Sequence, residues 1–156
     1  RTGRGDDIVA AIIREAAALP RAVAVGVATT GLVDGRRLTA LNPQTLPIEN
    51  NFPLGDELGR ELNMPVLVVN DAQAAAWAEF KQRAGRNVDR MLFITVSTGI
   101  GAGIVLNGNL QTGAHGLAGH LGHVVVAPDS DEVCGCGRRG CIESVASEAA
   151  IAATAY

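Results

Sequence analysis

All three cysteines of the chain fall within eight positions, Cys134-Gly-Cys136-Gly-Arg-Arg-Gly-Cys141, with glycines between them. Three thiols cannot all pair, and in a reducing compartment a metal ion is the favoured use of such a cluster. Zinc needs a fourth ligand. His115, His120 and His123 lie just upstream, and a tetrahedral Cys₃His site closes around Zn²⁺ without leaving a water position. The alternative is free thiols in a loop beside surface histidines. A closed site is structural rather than catalytic. It would supply the order that residues 108–140 cannot draw from burial, because that stretch has many glycines and little hydrophobic periodicity.

The rest of the chain carries a core of its own. With 47% apolar residues in 156, it is of a size that buries roughly 70% of its unfolded surface. Apolar positions 8, 12, 16 and 19 predict a helix over residues 6–19, stopped by Pro20. Strands are expected at 22–28, 65–69, 91–96 and 104–106, and helices at 54–62, 71–83 and 144–156. Asp34-Gly35 marks a hairpin and residues 41–53 an irregular segment. The last helix has no stop signal, so the chain end is expected to interrupt an element. Strand and helix alternate through residue 96, which indicates an α/β architecture.

Thirteen Lys and Arg against 16 Asp and Glu give a net charge of −3, with no basic stripe. That balance disfavours nucleic acid and anionic membrane surfaces as partners. No apolar run approaches the roughly 18 residues of a membrane span. The Arg-Thr-Gly-Arg-Gly start lacks the apolar segment of a signal peptide. The expectation is a cytoplasmic protein without membrane or nucleic-acid partners.

Two further segments carry chemistry. Ser97-Thr98-Gly99-Ile100-Gly101-Ala102-Gly103 lies between two apolar strands. Its glycines would let successive N–H groups face an anion, but the Walker Gly-Lys-Ser/Thr is absent and no helix follows. A phosphate cradle and an unliganded glycine hairpin both remain open. Asn70-Asp71 stands where a strand ends and a helix begins, the place where ligands of α/β sheets sit. Asp71 is equally well placed as a helix cap, and an ionised cap can still accept a hydroxyl proton in phosphoryl transfer. Glu143, two positions after Cys141, is either oriented by the metal loop or a carboxylate favoured at a helix start. Trp77 and Phe80 are expected in the core, and Arg138 and Arg139 on a solvated loop.

Together, Val69-Asn70-Asp71-Ala72, Ser97 to Gly103, Gly119-His120-Leu121-Gly122-His123 and Cys134 to Glu143 resemble the ROK family of repressors and sugar kinases. The resemblance implies an actin-like, ribonuclease H-like two-lobed α/β fold with sugar and ATP in the cleft. Residues 1–86 would be part of the first lobe, on the sugar side with the catalytic Asp. Residues 87–156 would open the second, with the phosphate turn and the zinc loop. By motif, Asp71 is implied as the base for the sugar hydroxyl, and Thr29, Gly31, Asn70, His120, His123 and Glu143 as sugar-binding. Thr98, Gly99, Gly101 and Gly103 match the second phosphate loop, and His123, Cys134, Cys136 and Cys141 the ligands of a structural zinc. ATP and Mg²⁺ are the implied cofactors, and the family commonly forms homodimers.

Most of the family reads Gly-Glu-x-Gly-His where this chain has Gly119-His120-Leu121-Gly122-His123. A histidine can donate as well as accept. With Asn70-Asp71-Ala-Gln-Ala-Ala-Ala-Trp77, this variant resembles the branch that phosphorylates N-acetylmannosamine at its 6-hydroxyl in sialic acid catabolism. The alternatives are a glucokinase-like ROK hexokinase, a ROK repressor that senses the same sugar, or a zinc-stapled binding module. The family's first phosphate loop, Asp-x-Gly-Gly-Thr, and its adenosine site are not in this chain, so these 156 residues alone are expected to lack measurable kinase activity.

Overall fold

The structure is a computed structural model that describes residues 4–19, 22–43, 45–84 and 87–154. The chain divides into two compact units, Arg1–Asn70 and Asp71–Tyr156.

In the first unit, helix α1 (Arg4–Ala16) has Asp6 and Asp7 in its first turn and Arg14 in its last, which suits the helix dipole. It buries Val9, flanked by Ile12 and Ile13, and so does not use the expected face through Leu19. The helix stops at Ala16, and Leu19 is 66% exposed. Pro20 lies outside the described residues. Strands β1 (Val25–Thr29) and β4 (Val66–Asn70) pair in parallel from Val25↔Val66 to Thr29↔Asn70. Thr29 and Asn70 therefore share one carboxyl edge. Between these strands, β2 (Leu32–Asp34) and β3 (Arg37–Thr39) form the expected hairpin, with Gly35 at φ 62°.

The irregular stretch after β3 returns to pair Phe52 with Leu38 and leads into helix α2 (Leu54–Leu62). Leu38, Phe52, Leu54, Leu58, Val66 and Val68 close a core with Val9. Arg36 stitches the hairpin to α2. Its Nε donates to Asp56 Oδ1 at 2.6 Å, and its guanidinium also donates to the carbonyls of Gly55 and Val66.

The second unit opens with helix α3 (Asp71–Glu79), which runs into a π-helical turn, Phe80–Ala84, instead of continuing as α-helix. Phe80 is buried and stacks on the half-buried Trp77, and the Lys81 ammonium lies over the Trp77 ring. Strands β5 (Arg90–Val96), β6 (Ile100–Leu106) and β7 (Asn109–Gln111) form an antiparallel sheet in that order. Strand β7 was not expected from the sequence.

The polypeptide then makes tight turns, including a 3₁₀ turn at Leu121–His123, before α4 (Ile142–Ala146) and α5 (Glu148–Thr154). The single helix expected over 144–156 is thus two. Ser147 breaks it by acting as the cap of α5: its Oγ accepts the Ala150 N–H at 3.2 Å. Residues 155 and 156 lie outside the described residues.

Candidate functional site

The three cysteines and one histidine converge. One donor atom from each of His123, Cys134, Cys136 and Cys141 lies within 4.8 Å of every other. Cys134 Sγ is 3.5 Å from His123 Nδ1, and Cys136 Sγ is 3.8 Å from Cys141 Sγ. A tetrahedral zinc with bonds of about 2.3 Å to sulfur and about 2.0–2.1 Å to nitrogen needs edges of about 3.6 Å for S···N and about 3.8 Å for S···S. The donor set therefore fits such an ion both in chemistry and in dimension. His115 is exposed and is not among these ligands.

Electrostatics around the donors differ from one to the next. Burial pushes the Cys134 thiol up to about 12, and burial also raises Cys141. For Cys136 burial acts upward too, but hydrogen bonds from the Arg138 backbone and guanidinium prevail and its pKa falls. Burial lowers His123, which keeps its imidazole neutral with a lone pair for a metal. A cation brought among these thiols would favour all three thiolates.

Strand β6 is the frame on which the other residues of this unit are hung. Glu143, at the start of α4, accepts the Ile100 N–H with Oε2 at 2.8 Å. A Cβ on Gly99 would sit 2.6 Å from that same oxygen, so the turn 97–99 lies directly against the carboxylate. Ser97 closes the turn by donating its N–H to the Gly99 carbonyl, and its own carbonyl accepts the Glu148 N–H, each at 2.9 Å. An open depression of about 220 Å³ is lined by Thr98, Cys134, Glu143, Ser144 and Ser147.

The turn is shorter than the 98–103 motif. Only 97–99 form the turn, while Gly101 and Gly103 lie inside β6, opposite Thr95 and Phe93. The missing side chains serve the helix. A Cβ on Gly101 would come within 2.9 Å of Ala72 Cβ, and one on Gly103 would collide with Ala76 Cβ. These two glycines let α3 approach the sheet.

Asp71 is thereby brought to the same strand as the metal loop. It is exposed at the first position of α3, and its Oδ1 accepts the Ala72 N–H at 2.8 Å. His120 follows Gly119, whose carbonyl accepts the Ala102 N–H of β6 at 2.8 Å. Its ring stacks against His123 at 6.4 Å, and its Nε2 is buried without a hydrogen-bond partner among the described residues.

Sequence reasoning gave no role to Gln73, which is 3% exposed on α3 and donates to the carbonyls of Gly116 and Ala118. The signal was there to be seen: a lone glutamine on the buried stripe of an alanine helix needs partners.

Thr29, Gly31 and Asn70 belong to the first unit. Thr29 and Asn70 are register partners at the strand ends. Asn70 is buried, and its Nδ2 donates to the Gly31 carbonyl at 3.2 Å, so its amide shapes the turn after β1. Gly31 has φ 94°, a conformation that glycine adopts without strain.

A sequence profile of the ROK family matches residues 5–156. The N-acetylmannosamine kinase of Yersinia pestis (strain Pestoides F) is 52% identical over 129 residues, covering 83% of this chain and 44% of that protein. A ROK family glucokinase from Streptomyces griseus, solved with glucose and AMPPNP, superposes with a TM-score of 0.80 at 38% identity, covering 94% of this chain and 47% of that one. A ROK family transcriptional regulator, a homolog of the E. coli MLC protein, superposes at 0.78 with 35% identity, covering 96% and 39%. The chain spans less than half the length of each of these relatives.

Proposed function

From the premise that this chain belongs to the ROK family, we propose that the full-length protein transfers a phosphoryl group from ATP to the 6-hydroxyl of N-acetylmannosamine, in the sialic acid catabolism of the cytoplasm. The chain has part of the actin-like α/β fold of the ROK sugar kinases. In this reading residues 1–86 contribute to the first lobe and residues 87–156 open the second.

One observation carries the proposal. The Glu143 carboxylate, two residues beyond the donor Cys141, holds the Ile100 N–H beside the turn 97–99. Glu143 thus links the turn 97–99 to the segment that carries the His123 and cysteine cluster, which supports reading the three as sugar-binding carboxylate, phosphate turn and metal loop. Strand β6 also packs the helix that begins with Asp71.

The chemistry assigned to the chain's own residues is limited. Asp71, exposed and anchored through only one of its oxygens in the contacts described above, takes the proton from the sugar hydroxyl as the hydroxyl oxygen bonds to the γ-phosphorus and the bond from that phosphorus to the bridging oxygen breaks, releasing ADP. The family resemblance assigns sugar binding to His120, His123 and Glu143, and to Thr29, Gly31 and Asn70. The orphaned Nε2 of His120 is a group that a sugar hydroxyl or amide would satisfy. Thr98 and Gly99 face the phosphates, whereas Gly101 and Gly103 act by packing. Mg²⁺, when bound with ATP, neutralises charge developing on the phosphates. His123, Cys134, Cys136 and Cys141 would hold a zinc ion whose role would be to fix the loop that ends in Glu143.

The test is Asp71→Asn in the full-length protein. Asparagine keeps the oxygen that accepts the Ala72 N–H, so folding and sugar binding survive while turnover falls by about 10²–10⁴-fold. Near-normal turnover removes Asp71 from the mechanism. A glucokinase-like specificity is the second reading, favoured by the superposition on the glucokinase. A panel of hexoses and N-acetylhexosamines decides between the two. Sugar binding without any turnover would favour a sensor, as in the repressors of the family.

A further inference from the structure

Gln73 stands two positions after Asp71 on α3, buried between Ala72 and Ala76. A polar side chain on an apolar helix face is unfavourable unless its hydrogen bonds are made. Two of them are made to a loop. Nε2 donates to the Ala118 carbonyl at 2.8 Å and to the Gly116 carbonyl at 3.3 Å. A carboxamide nitrogen has two protons, so both contacts coexist.

The loop it holds also makes bonds within itself. Leu117 is 53% exposed, and the segment is folded on itself through Ala118 N–H to Thr112 O and His120 N–H to Leu117 O. Its next anchor is Gly119 O, which accepts the Ala102 N–H. His120 follows directly. A short path therefore runs from Asp71, through Gln73 and Ala118, to His120, whose Nε2 is buried without a partner among the described residues.

We propose that Gln73 is a positioning residue. It sets the height of the His120 loop against the helix that begins with Asp71, and so fixes how the recognised ring substituent of the sugar registers with the hydroxyl that is deprotonated. The inference rests on the sugar-kinase reading above. The turn 97–99 is held through Glu143 and the Glu148 N–H, so the KM for ATP serves as the control.

The experiment uses the full-length protein with Gln73→Met, which keeps length without hydrogen bonds, and Gln73→Glu, which keeps shape but offers lone pairs to two carbonyls. Steady-state kinetics should give a KM for N-acetylmannosamine raised at least tenfold and a KM for ATP within twofold of the parent. The preference for N-acetylmannosamine over N-acetylglucosamine should shrink at least tenfold. Gln73→Asn, a methylene shorter, should recover part of the effect. Folded variants with unchanged sugar KM and preference overturn the proposal, as does a uniform fall in kcat with both KM values unchanged.

If the two longer variants do not fold, the Asn variant is read by the same criteria. If the parent phosphorylates no N-acetylhexosamine, the substrate assignment fails, and Gln73 is judged by hydrogen exchange instead. The Gly119 and His120 amides should then exchange at least tenfold faster in Gln73→Met. Unchanged exchange refutes the coupling.

Discussion

Replacing Gly103 by alanine separates two explanations of the glycines in β6. A Cβ built there collides with Ala76 Cβ, and it comes within 2.9 Å of the Ala72 carbonyl oxygen and 3.2 Å of Gln73 Cα. Ordinary carbon contacts need about 3.5–4.0 Å. All three obstacles are backbone or Cβ atoms of α3, so no rotamer change relieves them, and Ala76 is fully buried. The helix must lift by roughly an ångström, the overpacking case that costs about 1–3 kcal/mol. A chain of about 150–250 residues loses about 2–4 °C of Tm per kcal/mol and a longer one less, so the melt of the full-length protein should fall by at least about 1 °C and by less than about 12 °C. Gly101→Ala meets Ala72 Cβ at 2.9 Å and should fall less. Adding Ala76→Gly to Gly103→Ala should recover only part, because the Ala72 carbonyl remains in place and glycine within a helix itself costs about 1 kcal/mol. The assay is thermal and urea unfolding of the full-length protein, followed by circular dichroism, with KM for ATP measured in parallel. An unchanged melt with a raised KM for ATP would return Gly103 to a phosphate cradle and refute the packing argument.

Other consequences can be checked more briefly. Elemental analysis should find one zinc per chain, and Cys136→Ser should release it. Chelation should then speed hydrogen exchange in residues 112–141 before the sheet is affected, and a metal-free parent that folds normally would make the thiols bystanders. His120→Glu restores the residue found in most of the family and should move the kcat/KM preference toward glucose by about tenfold or more. An unchanged preference would remove His120 from specificity. Leu58 is fully buried in the first core, so Leu58→Ala should cost about 2–5 kcal/mol by urea titration, and a loss under about 1 kcal/mol would mean that α2 does not pack as described.

What the sequence made legible follows the range over which each signal acts. The hairpin at Asp34-Gly35, the strand before Asn70 and the strand of residues 91–96 are set by local chemistry, and the structure has them within a few residues. The face of α1 was misjudged because Ile8, Val9, Ile12 and Ile13 offer two overlapping stripes. Only the partner α2 and the strands decide that Val9 goes inward. The short strand β7 escaped notice because three residues carry no measurable alternation, and its existence depends on β6 beside it. Ser147 was passed over as a cap because it stands inside a run that reads as continuous helix. Its Oγ bond to the Ala150 N–H is a choice between two helical registers that propensity does not make.

The site shows the same division, with a consequence for how motifs should be used. Cys134, Cys136, Cys141 and His123 were legible as a candidate metal set because metal ligands are of few residue types, and the structure brings one donor atom of each within 4.8 Å of the others. The glycine motif was legible as a motif but not in its action. A glycine can expose an N–H to an anion or yield room to a neighbouring element, and both leave the same letters. The arbiter is what a Cβ would strike. At Gly99 it strikes the Glu143 carboxylate, at the turn, and at Gly101 and Gly103 it strikes the helix of Asp71. One seven-residue motif therefore does two jobs along its length: its first half presents a turn, and its second half sets the depth at which α3 lies on the sheet. On this account Asp71 and the turn 97–99 are spaced by glycines that make room for α3, so substitutions there should alter alignment and stability together, whereas substitutions at Thr98 should leave stability alone.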